Sequence, residues 1–102
     1  MLRISARTER DVTTVKVAGE LTSTGLSEFT TCSRQVLQQQ LPERITFDLI
    51  DVTGIDSDGK RVLAELARAG VWLAYGDPVM QAVVDEVVAD NRMQQNRLAS
   101  GA

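Results

Sequence analysis

The stretch from Ile45 to Gly70, ITFDLIDVTGIDSDGKRVLAELARAG, holds the signals on which the fold turns. Ile45, Phe47 and Leu49 alternate with other residues at the two-residue period of a strand. Ile50 and Val52 extend the apolar character to the other face, as in a strand covered on both sides. This predicts the central strand of a sheet. Val62, Leu63, Leu66 and Ala67 then form an apolar stripe at helical spacing, and Gly70 tolerates the left-handed conformation that ends many helices. A helix is therefore expected from Ser57 to Ala69. Strand and helix meet in Ile55 to Lys60, IDSDGK, where two carboxylates surround one serine.

On the N-terminal side, Leu2, Ile4 and Ala6 alternate with Arg3, Ser5 and Arg7, the pattern of a strand with one wet face. A turn is expected over Thr8 to Asp11. Val12 to Val17 are mostly β-branched and suit a pleated surface, with Gly19 ending the run, so the two strands should form a hairpin at the sheet edge. The hydroxyls of Thr22, Ser23 and Thr24 are suited to accept N–H groups at a helix start. Leu26, Phe29, Cys32, Val36 and Leu37 follow at helical spacing and stop before Pro42.

Beyond Gly70, Val71 to Tyr75 reads as a short buried strand, with Trp72 and Tyr75 as core or half-buried packing. Asp77 is placed to cap a third helix and Pro78 to occupy its first turn, where a missing N–H costs nothing. Met80, Val83, Val84, Val87 and Val88 keep helical spacing, whereas 91–102 is polar and small. The expected organisation is one α/β domain over 1–90 and a polar, mobile tail over 91–102. Its order is β-β-α-β-α-β-α, with a mixed sheet of about four strands and about three helices.

Composition narrows the function. A chain of 102 residues with 43% hydrophobic composition fits a single core. Its net charge of −3, with scattered Arg and Lys, offers nothing to a phosphate backbone, so nucleic acid is not an expected partner. Cys32 is the one cysteine, which excludes an internal disulfide and suits a reducing compartment. No stretch near the N-terminus resembles a secretory signal, and the longest apolar run, Val71 to Tyr75, is too short to span a bilayer. A soluble, cytoplasmic protein without membrane insertion is expected.

Several chemistries compete for the acidic turn. Acids in the first turn of a helix are stabilising by roughly 0.3–1 kcal/mol without any function, and Asp56 or Ser57 is suited to be the cap. Asp51, Asp56 and Asp58 at a strand end are oxygen ligands of the kind a hard cation takes. With no His and a single Cys, transition-metal sites and a Ser57 nucleophile both lack their usual partners. Gly54 and Gly59 fit neither phosphate-loop spacing, and Asp56 and Asp58 would repel an anion. Neither catalysis nor a bound metal or cofactor is expected.

The order of elements resembles the STAS domains, the family of bacterial anti-sigma-factor antagonists and of cytoplasmic domains on anion transporters. The residues carrying the resemblance are Asp48 and Leu49, the turn Ile55 to Gly59, the early VKVAGEL strand, and Gly70 with the following strand and Pro78. In antagonist members the turn reads Asp-Ser-Ser/Thr-Gly, and the hydroxyl before Gly is phosphorylated by a kinase that is also the anti-sigma factor. That place is Asp58 here, so the resemblance implies a permanent charge where relatives carry a reversible one. Lys60 stands where the family has an apolar residue, which sets a cation beside Asp56 and Asp58. Without a clear final strand and helix, the chain is similar to a short, divergent member.

The resemblance implies a non-enzymatic protein–protein interaction module of bacterial signalling and transcriptional regulation. Asp56, Ser57, Asp58, Gly59, Lys60 and Arg61, with Thr22, Ser23 and Thr24 of the adjoining loop, form its partner-binding and regulatory surface. The implied partner is a kinase-type anti-sigma factor or another component of a bacterial signalling complex. The alternatives are an accessory subunit of a membrane transporter complex and a small-ligand or nucleotide-binding domain. Homodimers are expected through the edge of the N-terminal hairpin or the apolar face of the last helix.

Overall fold

The structure, a computed structural model, describes residues 2–76, 81–86 and 89. Strands β1 (Arg3–Glu9) and β2 (Val12–Leu21) are followed by helix α1 (Leu26–Gln39), a 3-10 turn (Pro42–Arg44), strand β3 (Ile45–Ile55), helix α2 (Ser57–Ala69) and strand β4 (Trp72–Ala74). Residues 81–86 are helical and are called α3. The four strands lie in the order β1-β2-β3-β4. The first pair is antiparallel and the other two are parallel. The expected mixed α/β sheet and its element order are therefore observed. The caps of α3 at Asp77 and Pro78, the stripe residues Met80, Val87 and Val88, and the tail over 91–102 lie outside the described residues.

One face of the sheet builds the core. Val15, Val17, Leu21, Ile45, Phe47 and Leu49 are fully buried, and α1 and α2 close over them with Phe29 and Leu63. Val83 and Val84 of α3 join the same cluster. At its centre the rings of Phe29 and Phe47 meet edge to face, with centroids 5.6 Å apart and planes at 70°. Such a pair adds about 0.5–1.5 kcal/mol beyond the area it buries. Cys32 is half-buried, and burial, followed by the charge of Glu28, pushes its thiol up from its ordinary value. It is thus held in the unreactive, protonated form.

β3 departs from the expected strand covered on both sides. Ile45, Phe47 and Leu49 face inward at period two, but the next inward residue is Val52. A register shift against β2 between Lys16 and Ala18 inserts an extra residue there. The Asp48 carboxylate accepts the Ile50 N–H at 3.0 Å beside it. The bulge explains why Ile50 and Val52 looked like a second apolar face: the strand changes parity, so Val52 is inside and Ile50 is 52% exposed. On the sheet's other face Lys16 and Trp72 are exposed, with Thr46 and Asp48 half-buried.

β4 is shorter than expected and is not a buried strand. Val71 is in the core, Leu73 and Tyr75 pack against it half-buried, and Trp72 is 65% exposed. Period two sends the indole to the open face, where its N–H donates to the Glu43 carbonyl at 3.1 Å. The start of α1 also differs from expectation. Its cap is Gly25, without a side-chain hydrogen bond. The Gly25 N–H instead donates to the Thr22 carbonyl at 3.0 Å. A Cβ at Gly25 would lie 3.2 Å from the Leu2 side chain, so a small residue suits this corner.

The hairpin turns through Arg10 and Asp11, both with positive φ, at 52° and 66°. This is the mirror-image two-residue loop that matches strand twist and favours Asn-Gly. Arg10 bears the steric cost of the left-handed region, while Asp11 is tied in by its carbonyl, which accepts from Gln40 Nε2 at 2.8 Å. Replacing Arg10→Asn should stabilise the domain by about 0.5–1 kcal/mol. Thermal denaturation would read this as a Tm higher by roughly 3–6 °C.

Candidate functional site

The acidic turn sits where β3 ends against the end of β2. Asp56 is the N-cap of α2, in extended conformation. One of its carboxylate oxygens accepts the Gly59 N–H at 2.9 Å. The other accepts the Ser23 N–H, also at 2.9 Å. A single side chain thus satisfies an orphan donor of the helix and fastens the β2–α1 loop to it. The Gly59 N–H, then the Ser23 N–H, and further amides of the turn lower the Asp56 pKa below its ordinary value against a small opposing effect of burial.

Gly59 is buried, and its missing side chain permits this arrangement. A Cβ there would overlap the Leu21 carbonyl oxygen and approach Ile55 Cγ1 to 2.9 Å. The first turn of α2 therefore lies directly on the β2 backbone. The Asp56 N–H donates to the same Leu21 carbonyl at 3.3 Å.

The other expected site residues separate into two groups. Ser57 is exposed as the first residue of α2. Asp58 is in the first turn with its side chain 47% exposed, and its carboxylate lies 3.5 Å from the Arg61 guanidinium, one turn on. Lys60 does not stand over Asp56 and Asp58 as the sequence suggested. Its ammonium instead lies 3.8 Å from Glu86 of α3. Ser23 enters the site through its backbone N–H rather than its hydroxyl, with Thr24 exposed beside it. Glu20 and Glu28 were not expected in this region. With Leu2, Thr22, Thr24 and Gly25 they line a hollow of about 300 Å³ next to the loop. Their spacing in sequence, across a strand end and a helix start, gave no sign of this convergence.

The three acids weighed as cation ligands have separate partners: Asp51 lies 3.4 Å from Lys16, Asp56 holds backbone amides and Asp58 faces Arg61. Among the described residues no group of three or more His, Cys, Asp or Glu side chains is arranged to hold a metal ion. Among them also, no helix is long and apolar enough to cross a membrane. What the arrangement offers is a rigid, acid-rich corner made from one helix start and one loop.

Two outcomes follow for this corner. Gly59→Ala would gain about 1 kcal/mol of helix propensity but forces a methyl into backbone, so a net loss of about 2 kcal/mol or more is expected in urea denaturation. Gly54→Ala, whose Cβ would meet only Glu20 Cγ at 3.7 Å, should be nearly neutral. Because the Asp56 pKa is depressed in the folded state, its contribution is complete above the ordinary carboxylate value and is lost as pH falls through the folded value. Stability should therefore drop, as pH falls below the ordinary carboxylate value, by more in the wild type than in Asp56→Asn, which keeps a capping oxygen but does not titrate.

No curated protein matches the chain. Among solved structures it is similar to the anti-sigma factor antagonist SpoIIAA in its unphosphorylated form, at 15% identity and a TM-score of 0.59 over 81% of this chain and 80% of that one. It is also similar to a DUF3478-family protein with a SpoIIAA-like fold from Shewanella loihica PV-4, at 16% identity and a TM-score of 0.52 over 78% and 71% of the two chains. A third similarity, to Mglu, has 22% identity and a TM-score of 0.50 over 72% of this chain, which spans only 19% of that protein. These likenesses are of fold. Residues 3–70 match the STAS domain, and with the sheet order and the acidic turn at the start of α2 described above, the chain belongs to the STAS domain family.

Proposed function

We propose that this STAS domain is a non-catalytic protein-docking module that works like an anti-sigma-factor antagonist in bacterial cytoplasm. Its partner is a kinase-type anti-sigma factor, and it docks through Ser57 to Arg61 and the Thr22 to Thr24 loop. The observation that carries the reading is the Asp56 carboxylate, which joins the Ser23 and Gly59 N–H groups and makes loop and helix start one preformed surface. Preformed surfaces lose little entropy on docking.

Asp58 sets the state of that surface. A carboxylate brings one negative charge where a phosphoserine would bring about −1.5 to −2, and Arg61 offsets part of it. The charge is permanent, so the docking state is fixed in the sequence rather than set by a kinase. Glu20 and Glu28 beside the loop extend the acidic character and favour a basic surface on the partner.

Binding of the wild type, Asp58→Ala and Asp58→Ser to kinase-type anti-sigma factors, measured by titration calorimetry, tests the reading. The affinities of the two variants should differ from that of the wild type by about tenfold, the effect of a charge at the centre of a docking surface. Asp58→Ser should in addition become a substrate of the kinase. Equal affinity for all three proteins would sink the proposal. Recovery with a membrane transporter complex in place of a kinase would replace it with the accessory-subunit reading.

A further inference from the structure

Among the described residues β1 is an edge strand of the sheet. Its seven residues, Arg3-Ile4-Ser5-Ala6-Arg7-Thr8-Glu9, contain neither Pro nor Gly and pair with β2 without a register shift. The two-residue loop at Arg10 and Asp11 makes Glu9 and Val12 a hydrogen-bonded pair, and the alternation then continues along the ladder. Arg3, Ser5, Arg7 and Glu9 spend their backbone groups on β2. Ile4, Ala6 and Thr8 turn their N–H and C=O groups outward, where a further strand would find them.

We propose that β1 pairs with β1 of a second copy of this chain, antiparallel about a two-fold axis through Ala6, joining two sheets into one. The sequence is self-complementary in that register. Ala6 faces Ala6, Ile4 faces Thr8, Ser5 faces Arg7, and Arg3 of each copy faces Glu9 of the other. All the outward-turned backbone groups then meet one another. Each Glu9 carboxylate already lies 2.6 Å from the Arg7 guanidinium of its own strand. In the pair it also receives the other copy's Arg3, and both ends of the strand pair carry this cluster by symmetry.

Nothing among the described residues stands in the way. Every β1 residue except the half-buried Ile4 is exposed. α1 does not reach over the edge: a hollow of about 280 Å³ lies between it and β1, lined by Ala6, Thr8, Thr13, Val36, Gln39 and Gln40. The small side chain on the axis also lets two copies approach without steric conflict. This surface shares no residue with the acidic turn, so the pair leaves that turn free.

Sedimentation velocity of the full chain over a concentration range tests the register. A reversible dimer is expected. Ala6→Pro removes the outward N–H at the axis and should leave a folded monomer, with circular dichroism as the check on folding. Arg3→Glu sets two carboxylates opposite each other at both ends and should weaken the dimer by about tenfold. Glu9→Arg should do likewise, and the double variant Arg3→Glu with Glu9→Arg should restore assembly. A protein that stays monomeric at millimolar concentration overturns the proposal, as does a dimer that ignores these substitutions or a double variant without rescue.

Discussion

The whole molecule is organised by one close approach, that of the first turn of α2 to the end of β2. Gly59 makes it sterically allowed, since any side chain there would overlap the Leu21 carbonyl. Asp56 makes it favourable by capping the helix and holding the β2–α1 loop with its second oxygen. Neither residue could do this alone. Without the glycine the helix would stand off the sheet and carry the carboxylate away from Ser23, and without the carboxylate a buried glycine N–H would lack its partner. The acids of the turn are thus structural before they are functional, and any docking role of Asp58 is built on the frame that Asp56 sets.

The parallel part of this mixed sheet, β2-β3-β4, has one open face. Parallel strands are usually covered on both sides. Here β3 resolves the conflict by a local irregularity. The bulge beside Ile50 lets Leu49 and Val52 both face the helices and turns Asp48, Ile50 and Asp51 away from them, with the Asp48 side chain taking up the Ile50 N–H. Val12, Ile50 and Trp72 keep exposed apolar side chains on that face, and Trp72 keeps its indole N–H bonded.

Much of this was legible in the sequence because several independent signals agreed. For α2, the cap residue, the apolar stripe and Gly70 all marked the same boundaries, and the observed helix runs from Ser57 to Ala69 with Gly70 left-handed at φ 106°. The signals that failed were those read without knowledge of neighbours. Periodicity cannot distinguish a strand with two apolar faces from one that changes parity at a bulge, so Ile50 was assigned to a core it does not enter. The hydroxyls of Thr22 to Thr24 looked like caps, but a backbone turn ending at Gly25 satisfies that helix start. Lys60 could be placed next to Asp58 along the chain, but only the packing of α3 reveals Glu86 as its partner.

The pairing of Asp58 with Arg61 bears on how a fixed charge can replace a switched one. In the first turn of a helix a carboxylate is stabilised by the helix dipole, and a cation one turn later adds to this by a few tenths of a kcal/mol. An acid at this position is thus favoured by folding itself, whereas a phosphate must be added and removed by an enzyme. The two differ in what they leave for a partner. A phosphate keeps acceptor oxygens in excess of its local donors, but a single carboxylate shared with Arg61 keeps fewer. A partner that senses charge alone would read Asp58 as a weak form of the modified state, while one that grips the phosphate oxygens would read it as unmodified. Which of these holds depends on the Arg61 guanidinium, because moving it away from Asp58 strengthens the field of the carboxylate without altering the fold beneath it.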